Sequence, residues 1–129
     1  MIKTVWILTF REDKDREEVS RWWRTDHGAI ALRVPGIKRY VQNHFLEPLD
    51  ADRAEGGMPF QGMVECWFDD QETYEAAMAS PEWAELEADG EVGFEMTKLY
   101  GGFVREHVMR WEGLSDGRIY TTAGDIPAS

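Results

Sequence analysis

Two spacings of apolar residues alternate along the chain, and their order is what most constrains its fold. Period-two alternation, which is typical of half-buried strands, marks residues 2–10, 36–46, 60–68 and 97–111. Helical spacing marks residues 15–28 and 69–90, and Ser80-Pro81 interrupts the second of these segments. The predicted order of elements is therefore β-α-β-β-α-β.

A chain with this order forms an α+β fold in which four antiparallel strands carry both helices on one face. We therefore predict a ferredoxin-like fold with a cleft between the helices and the sheet. The other face of the sheet has no helix, yet residues such as Val5 and Met63 make it partly apolar. A bare apolar face favours a partner, so we expect a homodimer joined through the sheet faces.

Local signals predict where the helices begin and end. Asp15 and Glu18 fit a capping box, and Gly28 is expected to end the first helix, which would place His27 at its last turn. The second helical segment is expected to begin after Asp69 or Asp70. In the last strand, the pair Gly101-Gly102 predicts a bulge or a bend.

The chain of 129 residues suits one domain, which we place at residues 1–111. Residues 112–129 are small and polar and are predicted to be a loosely held tail. The polar segment 47–59 is long enough to be a mobile loop or a lid. No repeat or interdomain linker interrupts the pattern.

Charge and cysteine content exclude several classes of protein. The formal net charge of −11 repels phosphate backbones, so binding to nucleic acid or to anionic membranes is not expected. Cys66 is the only cysteine, which favours a reducing compartment, and no apolar run is long enough to span a bilayer. The predicted location is the cytoplasm.

Common catalytic motifs do not account for the sequence. GLSDG at 113–117 has the G-x-S-x-G spacing, but no strand precedes it and no histidine follows it. Neither a dinucleotide fingerprint nor a P-loop is present. The three histidines lack metal-ligand spacing, so we expect neither a metal nor another cofactor.

The remaining candidates are titratable side chains that the fold would gather in its cleft. An imidazole, a phenol and a thiol in an apolar cleft suit proton transfer on a flat organic substrate, and the chain offers His27, Tyr40 and Cys66 for these roles. The side chains expected to bind a substrate there are those of Trp6, Trp23, His44, Phe68 and Met78. Of the two neighbouring indoles, we expect one to line the cleft and the other to pack elsewhere.

Each candidate also has a purely structural interpretation. His27 could be a packed residue or a partner of the helix dipole. Cys66 could be a small apolar residue in a half-buried strand, and Tyr40 a core aromatic with a tethered hydroxyl. Asp26 could orient the imidazole of His27 or face water. The residue pattern alone leaves these alternatives open.

Beyond these patterns, several stretches resemble the EthD-like family of the dimeric α/β-barrel superfamily. They are W-x-x-x-H-G at 23–28, PG-x-x-x-Y-x-x-N at 35–43, and E-x-W-F at 65–68, with SPEW further on. The resemblance extends over about residues 1–110 and implies a ferredoxin-like unit that forms a dimeric α/β barrel. Where relatives commonly have proline after the glycine, this chain has Ala29.

The resemblance also implies a class of activity. Members include methylmuconolactone methylisomerases, polyketide cyclases and cofactor-free oxygenases. The resemblance to the isomerases assigns catalytic roles to His27, Tyr40 and Cys66, although the loop histidine of those enzymes has no counterpart here. We therefore expect a cofactor-independent isomerase or lyase/cyclase acting on a hydrophobic aromatic or lactone-like metabolite. The alternatives are a non-catalytic protein that binds a hydrophobic ligand or haem, and a cofactor-free monooxygenase.

Overall fold

A computed structural model of the protein describes residues 1–49 and 58–110. Its strands and helices follow in the order β1 (Ile2–Leu8), α1 (Arg16–Trp22), a π-helical turn (Trp23–His27), α2 (Gly28–Ala31), β2 (Arg39–His44), β3 (Gly62–Phe68), α3 (Gln71–Met78), α4 (Pro81–Gly90), a 3₁₀ turn (Met96–Lys98) and β4 (Tyr100–Val104). This order confirms the predicted β-α-β-β-α-β succession. The predicted tail and most of the predicted loop lie outside the described residues.

The four strands form one antiparallel sheet in the order β2-β3-β1-β4. Its register places Cys66 opposite Thr4 on one side and opposite Tyr40 on the other. Because side chains alternate across a strand, these three residues share the face that packs against the helices, which we call the inner face. Lys3, Glu65 and their neighbours occupy the opposite, outer face.

The first helix begins as predicted but does not end at Gly28. The Asp15 side chain accepts a hydrogen bond from the backbone N–H of Glu18, which caps α1. The prediction that Gly28 ends the helix is wrong, since the helix continues through the π-helical turn into α2. Gly28 has a packing role instead: a Cβ there would lie 3.1 Å from the Trp23 carbonyl oxygen and 3.3 Å from Nε2 of Gln42.

The second helical segment matches the sequence signals closely. The Asp70 side chain, rather than that of Asp69, accepts from the backbone N–H of Thr73 and caps α3. Ser80 caps α4 in the same way, and Pro81 occupies its first turn, where no backbone donor is needed. The described residues contain no helix long and apolar enough to cross a membrane.

The last strand is shorter than predicted and contains no bulge. Its pairing with β1 stops at Val104, opposite Lys3, because β1 itself begins at Ile2. Gly101 and Gly102 pair regularly with Trp6 and Val5, so the predicted bulge is wrong. Gly101 is required for another reason, since a Cβ there would lie 2.4 Å from the Trp6 ring.

Candidate functional site

A cavity of about 110 Å³ lies between the inner face of the sheet and the helices. Its wall is mainly apolar and is formed by Trp6, Leu8, Trp23, His27, Ala31, Ile37, Tyr40, Val64, Cys66, Trp83, Leu86, Glu87, Gly90, Phe94, Met96 and Leu99. A dry cavity of about 150 Å³ in another protein holds benzene, so this volume suits a ligand of about one ring.

Five of the eight predicted site residues line this cavity, and three do not. The five are His27, Tyr40, Cys66, Trp6 and Trp23. The other three are Phe68, whose ring packs edge-on against Tyr74 at 5.3 Å, Met78, which packs against the core, and His44, which is bonded within the fold. Phe68 and Met78 lie on the inner side, but the core around α3 occupies the space where a ligand would contact them.

His27 is a buried histidine whose ring is oriented by a carboxylate from another helix. It closes the π-helical turn, and its Nδ1 lies 2.9 Å from Oδ2 of Asp89 in α4. Burial lowers the pKa of His27, and the Asp89 carboxylate acts in the opposite direction. The imidazole is therefore mostly neutral at pH 7 and carries its Nδ1 hydrogen toward Asp89. This leaves Nε2 without a hydrogen-bond partner among the described residues.

The neighbouring indoles separate as predicted. Trp23 is fully buried and lines the cavity. Trp22 does not line it, and packs instead behind His27 with ring centroids 4.7 Å apart. Phe94 contacts the other side of the Trp22 and His27 rings, so the imidazole is held by aromatic packing as well as by Asp89.

Tyr40 brings a hydroxyl to the cavity wall. Its oxygen accepts a hydrogen bond from Nε2 of Gln42 at 2.8 Å. Burial raises the pKa of Tyr40 to about 12, while nearby N–H groups of Gln42 and Trp23 act in the opposite direction. The indole Nε1 of Trp23 does not complete a hydrogen bond and is buried without a partner in the described part of the chain. Tyr40 is therefore protonated at neutral pH and is suited to donate a hydrogen bond rather than to act as a base.

Cys66 forms part of the wall as a protonated thiol. Burial raises its pKa to about 12, although a hydrogen bond with the Thr4 side chain acts in the opposite direction. The thiolate is the nucleophilic form of cysteine, and its population at neutral pH is very small here. Of the two roles considered for Cys66, proton carrier or cavity wall, this environment favours the wall.

His44 lies on the same face of β2 as Tyr40 but does not reach the cavity. Its Nδ1 lies 2.7 Å from Oγ of Ser20, and its Nε2 lies 2.8 Å from Oε1 of Gln42. Its ring packs on Trp23 with centroids 3.9 Å apart. Hence His44 supports the residues behind the wall and does not offer a nitrogen to a ligand in this arrangement.

Sequence reasoning missed two residues of the site, Asp89 and Gln42. Asp26, which was considered as the partner of His27, is exposed, and Asp89 takes that position. Asp89 lies three residues after the buried Leu86, so an acidic residue close to the apolar stripe of α4 was the available signal. Gln42 lies between Tyr40 and His44 in the alternation of β2, which marks it as an inward-facing amide.

No group of histidine, cysteine and acidic side chains within the described ranges is arranged to hold a metal ion. The polar side chains of the cavity wall are instead those of His27, Tyr40, Trp23, Cys66 and Glu87, and the Glu87 carboxylate already accepts a hydrogen bond from the Trp83 indole. Together they can move one proton and donate hydrogen bonds to an oxygen atom.

Comparisons with known proteins agree with this architecture. An ethyl tert-butyl ether D (EthD) family protein from Bacillus halodurans superposes with a TM-score of 0.64 at 19% identity, over 82% of this chain and 99% of that one. A hydroxynitrile lyase from Passiflora edulis gives a TM-score of 0.62 at 17% identity, over 80% and 90%. A dimeric ferredoxin-like protein of unknown function from Thermobifida fusca gives 0.61 at 14%, over 80% and 88%. At such identities the likeness establishes the fold alone.

The sequence itself carries the family assignment. No curated protein matches the sequence significantly. Residues 11–94, which include the first helix, its π-helical turn, β2, β3, α3 and α4, match the EthD domain. The chain therefore belongs to the EthD domain family.

Proposed function

We propose that the protein is a cytoplasmic, cofactor-independent isomerase or lyase/cyclase that transfers a proton on a hydrophobic aromatic or lactone-like metabolite. The observation that carries this proposal is the environment of His27. Its Nδ1 is bound to Asp89, so Nε2 is the nitrogen left to face a ligand in an apolar cavity. One structural neighbour is described as a hydroxynitrile lyase, which supports the compatibility of this fold with catalysis.

In the proposed reaction His27 is the general base. Its neutral Nε2 removes a proton from a carbon atom next to an oxygen-bearing group, and Asp89 stabilises the imidazolium that forms. The negative charge moves to the ligand oxygen, which accepts a hydrogen bond from the Tyr40 hydroxyl. Return of the proton to another carbon completes an isomerisation, whereas loss of a leaving group completes a lyase reaction. Cys66 and Trp6 shape the wall.

Solvent exchange tests this role of His27 before the substrate is known. A panel of single-ring ketones, lactones and phenols is incubated with the protein in D₂O, and NMR follows deuterium uptake at carbon. We expect uptake with at least one class, and a loss of roughly a hundredfold or more in His27→Gln. His107→Gln, which changes an exposed histidine outside the site, is the matched control and retains the rate.

Two results would overturn the assignment. One is exchange that persists in His27→Gln, and the other is the absence of exchange with every class on the panel. Dissolved oxygen is recorded in the same samples. Consumption of oxygen that depends on His27 would identify the oxygenase alternative instead.

We further propose that the protein works as a homodimer joined through the outer face of the sheet. Two structural neighbours, from Thermobifida fusca and Bacteroides fragilis, are described as dimeric. The outer face also presents exposed apolar side chains at Tyr100 and Val104. Sedimentation tests this: Tyr100→Glu is expected to halve the mass, whereas Leu32→Glu, an equally exposed position at the end of α2, leaves it unchanged. A monomeric wild-type protein would contradict the proposal.

A further inference from the structure

A chain of hydrogen bonds leads from Ser20 through His44 and Gln42 to the hydroxyl of Tyr40. These side chains bond one another behind the cavity wall, and of the four only Tyr40 lines the cavity. The direction in which each link donates decides where the Tyr40 hydrogen points. That direction can be derived from the one atom of the network that can only accept.

This atom is the backbone carbonyl oxygen of Trp23. It lies 2.8 Å from Nε2 of Gln42, so the amide nitrogen, which carries two hydrogens, must occupy that position. The first hydrogen goes to Trp23 and the second to Tyr40. Oε1 of Gln42 then accepts from Nε2 of His44, which must carry a hydrogen, and Nδ1 of His44 accepts from the Ser20 hydroxyl.

The hydroxyl of Tyr40 is therefore an acceptor within the protein and a donor toward the cavity. Its oxygen already receives a hydrogen from Gln42, and its own hydrogen meets no acceptor in the described ranges. The unpartnered indole N–H of Trp23, which lies near this hydroxyl, is also a donor. This corner of the cavity thus offers two donors and no acceptor.

The packing of the π-helical turn maintains this arrangement. The lack of a side chain at Gly28 leaves room for the bond between Gln42 and the Trp23 carbonyl, since a Cβ there would lie 3.3 Å from Nε2 of Gln42 and would press on it. The π-helical turn also holds His27 on the wall of the same cavity. Hence one irregular turn positions both the proposed base and the amide that orients the phenol.

We propose that Ser20, His44 and Gln42 form a relay that fixes Tyr40 as a hydrogen-bond donor into the cavity. The cavity then selects single-ring compounds that carry an acceptor oxygen, such as a ketone, ester or lactone carbonyl, over those that lack one. His44 and Gln42 are positioning residues, because they act through Tyr40. The inference deepens the proposed function and rests on it, since both require a ligand in this cavity.

A pair of nearly isosteric ligands tests the relay without turnover. Acetophenone has a carbonyl where α-methylstyrene has a C=CH₂ group, and NMR titration gives both dissociation constants for each protein. The preference, defined as the ratio of these constants, is expected to fall about fivefold in Tyr40→Phe and in Gln42→Met, because one neutral hydrogen bond is lost. The double variant should show no further fall, since Gln42→Met acts only through the hydroxyl that Tyr40→Phe removes.

Two further variants refine the test. His44→Phe keeps a ring against Trp23 but removes the hydrogen bond to the Gln42 amide. The preference is therefore expected to fall by a smaller factor, about twofold. Asn43→Ala is the matched control, because Asn43 is the next residue of β2 and its amide bonds Glu65 on the outer face. Its preference should equal that of the wild type.

The results distinguish the relay from a structural role. If Gln42→Met weakened both ligands equally and left the ratio unchanged, the relay would be refuted. The same holds if the wild type prefers acetophenone no more than Tyr40→Phe does, or if it binds neither ligand. If the preference falls in Gln42→Met but the wild type shows no deuterium exchange, the proposed function is refuted and the relay stands. If the wild type shows exchange but the preference does not fall in Gln42→Met, the relay is refuted and the proposed function stands.

Discussion

The two faces of the sheet differ in whether their buried polar groups have hydrogen-bond partners within the chain. On the outer face, the buried Lys3 ammonium lies 2.5 Å from Glu65 and 3.1 Å from Glu106, and it also lies over the Trp67 ring. On the inner face, the Trp23 indole N–H has no partner among the described residues, and neither Nε2 of His27 nor the Tyr40 hydrogen is bonded there.

This difference indicates that the outer face contributes mainly to stability and the inner face to ligand binding. A buried polar group without a partner costs free energy, so most such groups in folded proteins are paired. The outer face follows that rule within the chain itself. The inner face leaves donors and one acceptor unpaired around a cavity, which is the pattern expected where a ligand completes the bonds. Changes on the two faces should therefore affect different properties.

The largest expected effect is a loss of stability when a buried ion pair of the outer face is broken. Lys3→Met removes the ammonium that pairs with both the Glu65 and the Glu106 carboxylate and should lower the free energy of unfolding by about 2–4 kcal/mol, a value reduced for their partial exposure. Urea unfolding measures it. Arg33→Met, which breaks an exposed pair with Glu85, should cost less than about 1 kcal/mol. Equal losses in the two variants would mean that Lys3 is not effectively buried.

Substitutions at the adjacent Gly101 and Gly102 of β4 allow the two faces to be compared at one point of the sheet. Gly101→Ala places a Cβ against the Trp6 ring at the cavity wall and should cost about 1–3 kcal/mol as well as weaken ligand binding. Gly102→Ala meets nothing within 4 Å in its own chain, so at concentrations too low for a dimer it should change stability by less than about 0.5 kcal/mol. A loss that appears only at concentrations where the homodimer forms would agree with a partner on the outer face, and a large loss in the monomer would contradict the comparison.

The next effect concerns rate and tests the imidazole's orientation. Asp89→Asn removes the charge that stabilises the His27 imidazolium and should slow deuterium exchange by roughly 10–100-fold. It also removes an interaction that raises the pKa of His27, so the acid limb of the pH–rate profile should move to lower pH. Asp26→Asn, next to His27 but exposed, is the control and should change neither. A profile unchanged in Asp89→Asn would contradict the proposed pairing.

Much of the fold could be predicted from the sequence, because its determinants are local. Alternation, the capping residue Asp15 and the interruption at Ser80-Pro81 marked the elements, and inward alternation correctly placed Tyr40 and Cys66 on one face. The length of β4 was overestimated because a strand extends only as far as its partner, and that partner lies about a hundred residues away in the chain.

The irregular parts of the site were not predictable in the same way. A glycine in a helical pattern usually signals an end, whereas Gly28 provides space for the Gln42 amide, which lies 14 residues further along. The pairing of His27 with Asp89 depends on how two helices meet over the sheet. Such contacts follow from tertiary packing, and no local spacing encodes them.

The smallest expected effect is a pH dependence of stability that arises from the two inner-face histidines. Burial lowers the pKa of His27 and of His44 in the folded protein, and Arg24 lowers that of His44 further. The unfolded chain, with histidine pKa values near about 6.5, therefore binds protons first as the pH falls. Their contribution to stability should be complete above that pH and should decrease as the pH falls below about 6.5, which urea unfolding at several pH values measures.

The same titration separates these histidines from the outer-face carboxylate. The pKa of Glu65 is lowered, mainly by hydrogen bonds from Lys3 and Asn43 that outweigh its burial, so its contribution is lost only in a lower window, below the ordinary carboxylate range. His27→Gln should flatten the dependence of stability on pH just below about pH 6.5 and leave the lower, carboxylate window unchanged. His107→Gln, at an exposed position, should leave both unchanged. If His27→Gln kept the full slope, burial of the imidazole would not be the cause, and the inner face would lose its distinguishing feature, a neutral histidine held for a ligand.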